Sequence, residues 1–314
     1  MNATVAVTGG RGFIGRRVIN RCSALGYRIV SASRSPQAED SPDVRYECID
    51  LIKATVPQLE AFLMSCDTLV HIAGEIRDER VMRALHVEST KSLAEAAARV
   101  GLKHWIQISS CGVYGPVRVG RVTETAPCKP VGVYEETKWE SENIVSQFAA
   151  SGAFSLTILR PSIVYGDDMP NDSLRALIRA VQRNRFFFIG PSGARYNAIH
   201  ADDLADAITA CVQYGVDGVA TFNLSQCYTI EQLVKTISLA AAASPPSLRL
   251  PKKIAQAIAF AGKIVPRFPL TLSRIEALTS EANYIGEAIS KKRNWAAKVS
   301  LEQGIASLIA QMEL

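Results

Sequence analysis

The sequence of 314 residues predicts an α/β protein, in which a doubly wound parallel sheet is followed by a smaller, mostly helical C-terminal part. Three observations carry this prediction. Short apolar runs alternate with helix-length amphipathic segments over the first half, as in the βαβ units of a parallel sheet. A glycine cluster, GGRGFIG, stands between the first predicted strand and the first predicted helix. After residue 165, helical segments predominate.

The first half of the chain alternates between strands and helices. Six short apolar runs predict strands: Thr4–Val7, Arg28–Ala32, Val44–Cys48, Thr68–Ile72, His104–Ile108 and Phe154–Leu159. The amphipathic segments between them predict helices. These are Phe13–Leu25, Val81–Val100 and a long helix from about Tyr134.

The second half of the chain is mainly helical. Its predicted helices are Leu174–Gln182, Asp202–Val212, Thr229–Ala243, Lys252–Ile264 and Leu301–Met312. Asp202 is a natural N-cap for the second of these helices, which His200 is also expected to cap or orient. Two short runs, Phe186–Ile189 and Thr221–Leu224, could return to the main sheet. The boundary near residue 165 is therefore soft.

Composition and charge exclude some classes of function. Apolar residues make up 48% of the chain and charged residues 21%, which is ordinary for a globular protein. The net charge of +5 comes from scattered basic residues, so we expect no nucleic-acid partner.

Cysteine usage and apolar runs bear on the compartment. The seven cysteines form no C-x-x-C pair and are odd in number, which argues against a metal site and a disulfide framework and fits a reducing compartment. No unbroken apolar run reaches the ~18 residues of a membrane span, and no secretory pattern precedes the first strand. We therefore expect a cytoplasmic protein without an integral membrane segment.

The glycine cluster predicts a site for a pyrophosphate group. Gly9, Gly12 and Gly15 are spaced three residues apart between a strand and a helix. Glycine permits a sharp turn and a close approach of backbone N–H groups, and the start of the helix offers unpaired donors to an anion. The alternative is a tight strand-to-helix turn without a ligand.

The end of the second strand favours NADP over NAD. NAD-binding chains place an acidic residue there, which accepts the ribose 2′-hydroxyl group. Here the sequence reads SASRS, and the guanidinium of Arg34 suits a 2′-phosphate through a charge-assisted hydrogen bond worth about 1.5–3 kcal/mol. The alternative for Arg34 is a solvated surface arginine. Beyond the third strand, Asp50 and Leu51 are candidates to hold the adenine by hydrogen bonding and by packing.

A tyrosine, a lysine and a serine are the candidate catalytic residues. Tyr134 and Lys138 are four residues apart and so share one face of the predicted helix. A nearby ammonium group is expected to lower the pKa of the phenol, so that Tyr134 can exchange a proton with substrate. Lys138 could also bind the nicotinamide ribose. Ser109 and Ser110 end a predicted strand, where a hydroxyl group would point into the ligand crevice and hold a carbonyl or hydroxyl group.

These motifs together resemble the extended short-chain dehydrogenases/reductases, and within them the nucleotide-sugar epimerase/dehydratase family. The resemblance covers nearly the whole chain. GGRGFIG matches the cofactor loop, HIAGE from His71 the strand-four loop, SSCGVYG the segment of the catalytic serine or threonine, and YEETK the catalytic tyrosine and lysine. Three further segments also match: LRPSIVYG, IHADDLA and NWAAKVSLEQGI. The resemblance implies a dinucleotide-binding Rossmann domain over residues 1–165 and a substrate-binding part over residues 166–314.

The resemblance also implies roles for individual residues. Ser110 and Tyr134 would polarise the reacting oxygen atom, and Lys138 would support Tyr134. The remaining implied cofactor contacts lie on the glycine loop and at the ends of three strands: Phe13, Ile14, Ala73, Ser109, Pro161 and Ser162. The C-terminal part would hold the nucleotide-sugar, with Arg195 as the best candidate for its diphosphate. Members of the family often dimerise through the helices after residues 81 and 134.

The chain departs from the family pattern at positions that distinguish dehydratases and 4-epimerases from other members. Family dehydratases carry an acidic pair directly after the catalytic threonine, and Cys111 and Gly112 stand there, so we do not expect a dehydratase. We interpret Cys111 as a small residue under the cofactor rather than a nucleophile. Typical 4-epimerases have asparagines where Ile163 and His86 stand, and they generally retain NAD, which Arg34 does not favour.

These departures predict a reductase that consumes NADPH, for instance on a 4-keto sugar nucleotide. A nucleotide-sugar 4-epimerase with tightly bound NAD, a dinucleotide-sensing regulator without catalysis and a reductase of a less polar ketone stay open. The apolar stretch 248–269 with basic flanks is interpreted as a core helix. The alternatives are a substrate-mouth cap, with Arg249, Arg267 or Arg274 at a diphosphate, and weak attachment to an anionic membrane. His86 is interpreted as a packing residue of its helix.

Overall fold

The computed structural model of the chain describes residues 3–34, 42–262, 270–293 and 295–312, and its centre is a parallel sheet. In chain order the strands are β1 (Thr4–Thr8), β2 (Arg28–Ser33), β3 (Val44–Cys48), β4 (Thr68–His71), β5 (His104–Ile108), β6 (Val119–Val122), β7 (Ser155–Pro161), β8 (Ile163–Tyr165), β9 (Phe188–Ile189), β10 (Arg195–His200), β11 (Val219–Leu224), β12 (Gln226–Thr229), β13 (Arg249–Leu250) and β14 (Glu281–Tyr284). The central sheet has the order β11-β7-β5-β4-β1-β2-β3, with all neighbours parallel. The predicted doubly wound parallel sheet is confirmed.

Eleven helices lie in the described part of the chain, and none of them is long and apolar enough to cross a lipid bilayer. They are α1 (Phe13–Ala24), α2 (Val56–Leu63), α3 (residues 79–100), α4 (Val133–Ala150), α5 (Ser173–Gln182), α6 (Ala201–Tyr214), α7 (Ile230–Ala240), α8 (Lys252–Gly262), α9 (Leu272–Leu278), α10 (Ala288–Arg293) and α11 (Leu301–Met312). Within α3, a π-helical turn, Ala84–Glu88, joins the α-helical segments Glu79–Arg83 and Ser89–Val100. A short 3₁₀ turn, Cys111–Tyr114, follows β5.

Helices cover both faces of the central sheet, which explains why its strands are almost continuously apolar. On one face α1 and α6 contribute Val18 and Leu204 to a buried core. On the other face α2 and α3 contribute Leu59 and Leu93. Strand β5 is buried along its whole length. The two layers hold the carboxyl ends of the strands as one fixed edge.

The strand order places a ligand crevice at that edge. From β1 the chain continues to β2 and β3 on one side, and then crosses to β4, β5 and β7 on the other. In doubly wound sheets, ligands bind beside the carboxyl ends of the strands where the order changes direction. The segments that follow β1, β4, β5 and β7 therefore border the crevice.

A further hydrophobic core lies in the C-terminal part of the chain. Helices α5, α7 and α11 pack against the three-stranded sheet β12-β10-β8 through buried residues that include Ile178, Leu233 and Ile305. Strand β11 returns to the main sheet and pairs with β7. Of the two runs that could return, Thr221–Leu224 does so as part of β11.

The other run, Phe186–Ile189, does not reach the main sheet. Its last two residues form β9, which pairs with β13. The backbone N–H groups of Phe188 and Gly190 donate to the carbonyl groups of Leu248 and Leu250. An apolar run indicates that a strand is favoured. The segments that lie next to it in the fold, here β13, determine which sheet it joins.

Helix α6 begins one residue earlier than the sequence predicts, so the expected N-cap Asp202 is wrong. His200 is the N-cap, because its Nδ1 accepts the N–H of Asp202 at 3.2 Å. The carboxylate of Asp202 lies in the first turn instead, where its negative charge interacts favourably with the helix dipole. Asp203 is buried and accepts N–H groups of residues 298–299. It fixes the segment that leads into α11.

Candidate active site

The glycine loop after β1 is closed against the loop after β4. Gly9 has φ +71°, and a Cβ atom there would lie 2.9 Å from the Cα atom of Ala73. A Cβ atom at Gly15 would overlap the carbonyl oxygen of Gly9, and one at Gly10 would overlap the hydroxyl group of Ser31. The close packing therefore requires glycine at all three positions. Sequence analysis missed Gly10, although the paired glycines were a signal.

The start of α1 is open to an anion. Its N-cap is Gly12, which has no side-chain cap to offer, and its first turn contains no acidic residue. The first N–H groups of a helix lack intrahelical partners, and the helix dipole adds positive charge there. The glycine cradle and the uncapped helix thus fit the pyrophosphate of a dinucleotide, with Phe13 and Ile14 at the first helical positions.

Two arginines flank the end of β2, where the adenosine ribose of a dinucleotide would lie. Arg34 follows β2 directly and is exposed. Arg11 of the glycine loop is also exposed, and its guanidinium lies 5.3 Å from the ring centroid of Tyr46 in β3. Sequence analysis missed Arg11, although its place between Gly10 and Gly12 was a signal.

The two residues expected at the adenine lie just beyond β3 and differ in burial. Asp50 is half-buried, and its carboxylate accepts the N–H of Ile52 at 3.2 Å. Leu51 is buried in the core together with Leu59 of α2. Their contacts with an adenine stay predictions.

Ser110, Tyr134 and Lys138 meet at the carboxyl end of β5. Ser110 caps the 3₁₀ turn, because its Oγ accepts the N–H of Gly112 at 3.0 Å. Its hydroxyl group also hydrogen-bonds to the phenol of Tyr134. Lys138 lies one turn further along α4 with 5% of its surface exposed, and its Nζ donates to the carbonyl oxygen of Ile108 at 3.0 Å. The fold brings the three predicted residues together.

Ser109 lies beside this group and has an unused polar atom. Its backbone N–H donates to the carbonyl oxygen of Leu159 at 2.8 Å, which holds β5 against β7. Its Oγ is buried and has no hydrogen-bond partner among the described residues. Buried hydroxyl groups are normally paired, so this atom fits a ligand in the crevice.

Burial determines the protonation of the catalytic groups. Burial raises the pKa of Tyr134 to about 12; the charge of Glu135 raises it further, and the hydrogen bond from Ser110 opposes the rise. Burial lowers the pKa of Lys138 to about 8 against the opposing charge of Glu142. The expected lowering of the pKa of Tyr134 by the ammonium group of Lys138 is not found: burial and the charge of Glu135 raise this pKa, and the hydrogen bond from Ser110 opposes the rise. At neutral pH the phenol is protonated and is a proton donor.

His86 joins the strand-four loop to the catalytic helix. It lies in the π-helical turn of α3 with 2% of its surface exposed. Its Nε2 accepts the backbone N–H of Glu75 at 2.9 Å, and its Nδ1 is 2.8 Å from Oγ1 of Thr137 in α4. Since Thr137 donates to the carbonyl oxygen of Val133, its Oγ1 accepts from Nδ1–H of His86.

The imidazole of His86 is therefore neutral and has a defined tautomer. Burial and the nearby charge of Lys138 lower its pKa to about 3. Its ring packs edge-on against Tyr134, with 5.8 Å between centroids. The interpretation of His86 as only a packing residue missed this link, although its departure from the family pattern was a signal.

The strand-four loop is also held from below by Thr8, the last residue of β1. Its Oγ1 accepts the N–H groups of Ile72 and Ala73, both at 3.2 Å, and so donates to Nδ1 of His71 at 2.7 Å. Nε2 of His71 then donates to Thr90 at 3.0 Å. Ala73, an expected cofactor contact, is thereby fixed beside the glycine loop.

A buried ion pair fixes the elements that carry the catalytic residues. Glu142 of α4 and Arg160 of β7 share hydrogen bonds of 2.6 and 3.0 Å, and both are buried. Arg160 also donates to the hydroxyl group of Tyr114 at 2.9 Å, which donates to Asn223 of β11 at 2.7 Å. The network connects α4, β7, β11 and the 3₁₀ turn.

Cys111 is not arranged as a nucleophile. Its thiol is buried and donates to the carbonyl oxygen of Arg160 at 3.1 Å. Burial raises the pKa of the thiol, so it stays protonated. This supports its interpretation as a small packing residue. Among the described residues, no group of histidine, cysteine, aspartate and glutamate side chains could hold a metal ion.

Pro161 and Ser162 lie at the carboxyl end of β7, as a contact with the nicotinamide requires. The N–H of Ser162 donates to the carbonyl oxygen of Leu224 in β11 at 3.0 Å. Ile163 follows and is half exposed. The cofactor contacts of Pro161 and Ser162 stay predictions.

Two of the arginines expected at a substrate diphosphate, Arg195 and Arg249, differ in their surroundings, and a third, Arg267, lies outside the described residues. Arg195 is exposed at the start of β10. The guanidinium of Arg249 donates to the carbonyl oxygen of Gly190 at 2.9 Å and to Glu231 at 2.8 Å, and it lies over the ring of Phe188. This gives Arg249 a structural role, and a diphosphate would compete with Glu231 for it.

The sheet, the glycine loop at an uncapped helix and the serine–tyrosine–lysine group define a short-chain dehydrogenase/reductase of the extended type. The model of the NAD dependent epimerase/dehydratase family matches residues 5–225. The chain belongs to this family. The resemblance drawn from the sequence is confirmed.

Two relatives and one solved structure show what this chain is similar to. The N-acetyl-alpha-D-glucosaminyl-diphospho-ditrans,octacis-undecaprenol 4-epimerase of Escherichia coli O157:H7 is 25% identical over 80% of this chain and 76% of its own length. The dTDP-6-deoxy-L-talose 4-dehydrogenase (NAD(P)(+)) of Kitasatospora kifunensis is 31% identical over 57% of this chain and 58% of its own length. The solved structure of MoeE5 in complex with UDP-glucuronic acid and NAD has a TM-score of 0.78 and 22% identity, covers 99% of both chains, and shows the shared fold.

Proposed function

We propose that this protein is an NADP-dependent reductase of a 4-keto sugar nucleotide. The observation that carries the proposal is the group of Ser110, Tyr134 and Lys138 at the carboxyl edge of the sheet. Reduction of a ketone requires a proton donor at the carbonyl oxygen, whereas oxidation of an alcohol requires a base. The Tyr134 phenol can serve either direction, and the departures from the 4-epimerase pattern at His86 and Ile163, together with the basic Arg34, favour reduction.

Each catalytic residue has a task in this reaction. The dinucleotide, when bound, supplies the hydride. Ser110 donates a hydrogen bond to the keto oxygen and orients it, and Tyr134 donates its phenolic proton to that oxygen as negative charge develops there. Lys138 stabilises the resulting phenolate by its charge. General acid catalysis of this kind contributes about 10²–10⁴ in rate.

The basic residues at the end of β2 support NADP as the cofactor. Arg34 and Arg11 are both exposed there, and Arg11 is steadied by Tyr46. A hydrogen bond to a charged partner contributes about 1.5–3 kcal/mol, which favours a 2′-phosphate by about tenfold or more. The family is NAD-dependent by its description, so the preference for NADP is a property we propose for this chain.

The substrate is proposed to lie between the catalytic group and the part of the chain after residue 165. Arg195, exposed at the start of β10, is the candidate for the diphosphate. The binding of UDP-glucuronic acid by MoeE5 supports a nucleotide-sugar. We further propose a cytoplasmic homodimer that forms through α3 and α4, as the family resemblance implies.

The cofactor preference is tested by denaturing the purified protein, identifying any nicotinamide released, and titrating the empty protein with NADPH and NADH. We expect little bound cofactor and much tighter binding of NADPH. Near-stoichiometric release of NAD would contradict a reductase and would identify a retained redox cofactor.

The second candidate function is a 4-epimerase that acts on a sugar carried by a lipid diphosphate. This function is suggested by the activity named for the Escherichia coli relative. An exposed apolar face on α8 also favours this function. Ile254, Ile258 and Phe260 are exposed on that helix, Phe260 by 70%. Such a face suits a prenyl chain or a membrane surface. Turnover of a prenyl-diphosphate sugar without net use of NADPH would establish this function.

A further inference from the structure

We propose that Glu135 determines the specificity of the active site, by selecting a sugar with a hydroxyl group and rejecting one with a carboxylate beside the reacting carbon. This inference rests on the proposed nucleotide-sugar substrate. It concerns a residue next to Tyr134 that the catalytic group does not use. Its basis is the position, the charge and the surroundings of the side chain.

The side chain of Glu135 fills a space that two glycines leave open. A Cβ atom at Gly112 would lie 2.8 Å from Cγ and 3.5 Å from Oε1 of Glu135. A Cβ atom at Gly132 would lie 2.9 Å from Oε2. The absence of side chains at these two turns therefore leaves room for the observed position of the glutamate.

The carboxylate of Glu135 borders the catalytic group. The same point at Gly112 lies 3.3 Å from Oγ of Ser110, so the side chains of Ser110 and Glu135 lie next to each other at this turn. The charge of Glu135 contributes to the raised pKa of the Tyr134 phenol, which shows that the two groups interact. Cys111 carries no carboxylate at this turn, and Glu135 brings one to it from α4.

The charge of Glu135 is not neutralised by the protein. In the described ranges, the side chain has neither an ion-pair partner nor a hydrogen-bond partner, and it is half-buried. Glu136 is exposed one residue further on, where water screens its charge. A half-buried carboxylate without a partner repels a second carboxylate and accepts hydrogen bonds from hydroxyl groups.

This arrangement predicts which sugars fit. In a neutral hexose, a hydroxyl group beside the reacting carbon can donate a hydrogen bond to the carboxylate of Glu135. This bond replaces the hydrogen bonds from water that the carboxylate loses when the sugar binds. A hexuronic acid bound at the catalytic group brings a second negative charge close to the carboxylate of Glu135. We expect the neutral sugar to bind at least about tenfold more tightly, which corresponds to about 1.4 kcal/mol.

The test measures the dissociation constants of UDP, UDP-glucose and UDP-glucuronic acid by calorimetry on the NADP-loaded protein. The wild type, Glu135→Gln and the matched control Glu136→Gln are compared. We expect a preference of about tenfold or more for UDP-glucose in the wild type and the control. In Glu135→Gln we expect it to fall to about threefold or less, with the affinity for UDP unchanged.

The outcomes separate the two proposals. Equal affinity of the wild type for both sugars, or an unchanged preference in Glu135→Gln, overturns the role of Glu135 alone. A loss of preference in Glu136→Gln as well would show an effect of net charge and would also overturn it. Absence of saturable binding of all three ligands to the wild type overturns the proposed nucleotide-sugar substrate.

Discussion

Replacing His86 with leucine is expected to loosen the link between the strand-four loop and the catalytic helix. The change removes the acceptor for the partly buried N–H of Glu75, which costs about 1–3 kcal/mol when left unpaired. It removes the hydrogen bond to Thr137, worth about 0.5–1.5 kcal/mol. The lost edge-on contact with Tyr134 adds about 0.5–1.5 kcal/mol. We therefore expect His86→Leu to lower the free energy of unfolding by about 2–6 kcal/mol.

The pH dependence of this loss has a defined sign. The pKa of His86 is about 3 in the folded protein and about 6.5 in an unfolded chain. A lowered pKa in the fold means that the neutral histidine stabilises fully above about pH 6.5, and that this stabilisation is lost as the pH falls toward 3. Leucine does not titrate. The deficit of His86→Leu relative to the wild type should be largest above pH 7 and should shrink on acidification.

The assay is urea unfolding followed by circular dichroism at pH 7.5 and 5.5. It compares the wild type, His86→Leu, Thr137→Val and the double variant. We expect the two substitutions to be non-additive by at least about 0.5 kcal/mol, because both remove the same hydrogen bond. A stability of His86→Leu within about 0.5 kcal/mol of the wild type at pH 7.5, or a deficit that grows at pH 5.5, would refute the reasoning.

Three further substitutions test the site. Tyr134→Phe removes the proton donor and should lower kcat by at least about 10² while the Kd of NADPH, measured by fluorescence, stays nearly constant; near-wild-type turnover would contradict its role. Arg34→Ala should weaken NADPH by about tenfold or more and leave NADH unaffected in the same titration, whereas equal losses would exclude a contact with the 2′-phosphate. Glu142→Leu leaves the Arg160 charge buried without its partner and should cost about 3–5 kcal/mol in urea unfolding; a loss below about 1 kcal/mol would show that the pair is not needed.

The features that the sequence predicted correctly depend on local patterns. Alternating apolar runs identified the strands of the central sheet, because the spacing of apolar residues that distinguishes strands from helices involves only residues close together in the sequence. The spacing of Gly9 and Gly15 and the four-residue spacing of Tyr134 and Lys138 likewise define local geometry. The order of these motifs along the chain was enough to identify the family.

The features that could not be predicted from the sequence depend on contacts between segments that are distant along the chain. His86 acts through Thr137, which lies 51 residues away, so no window around either residue shows the link. The place of Glu135 depends on Gly112, in a turn that follows a different strand. The pKa of Tyr134 was expected to fall because of Lys138, but the depth of burial that raises it is set by the whole fold.

The most direct test of the proposed reaction follows the hydride. A 4-keto sugar nucleotide is incubated with the protein and with NADPH that carries deuterium at the transferable position, and the product is examined by NMR. The proposed function predicts one deuterium at C4 of the sugar for each NADPH oxidised. With Tyr134→Phe, both the deuterium incorporated and the NADPH oxidised over the same time should be lower by at least about 10². A wild-type enzyme that leaves NADPH unchanged, and instead interconverts UDP-hexose epimers with a retained NAD, would contradict it.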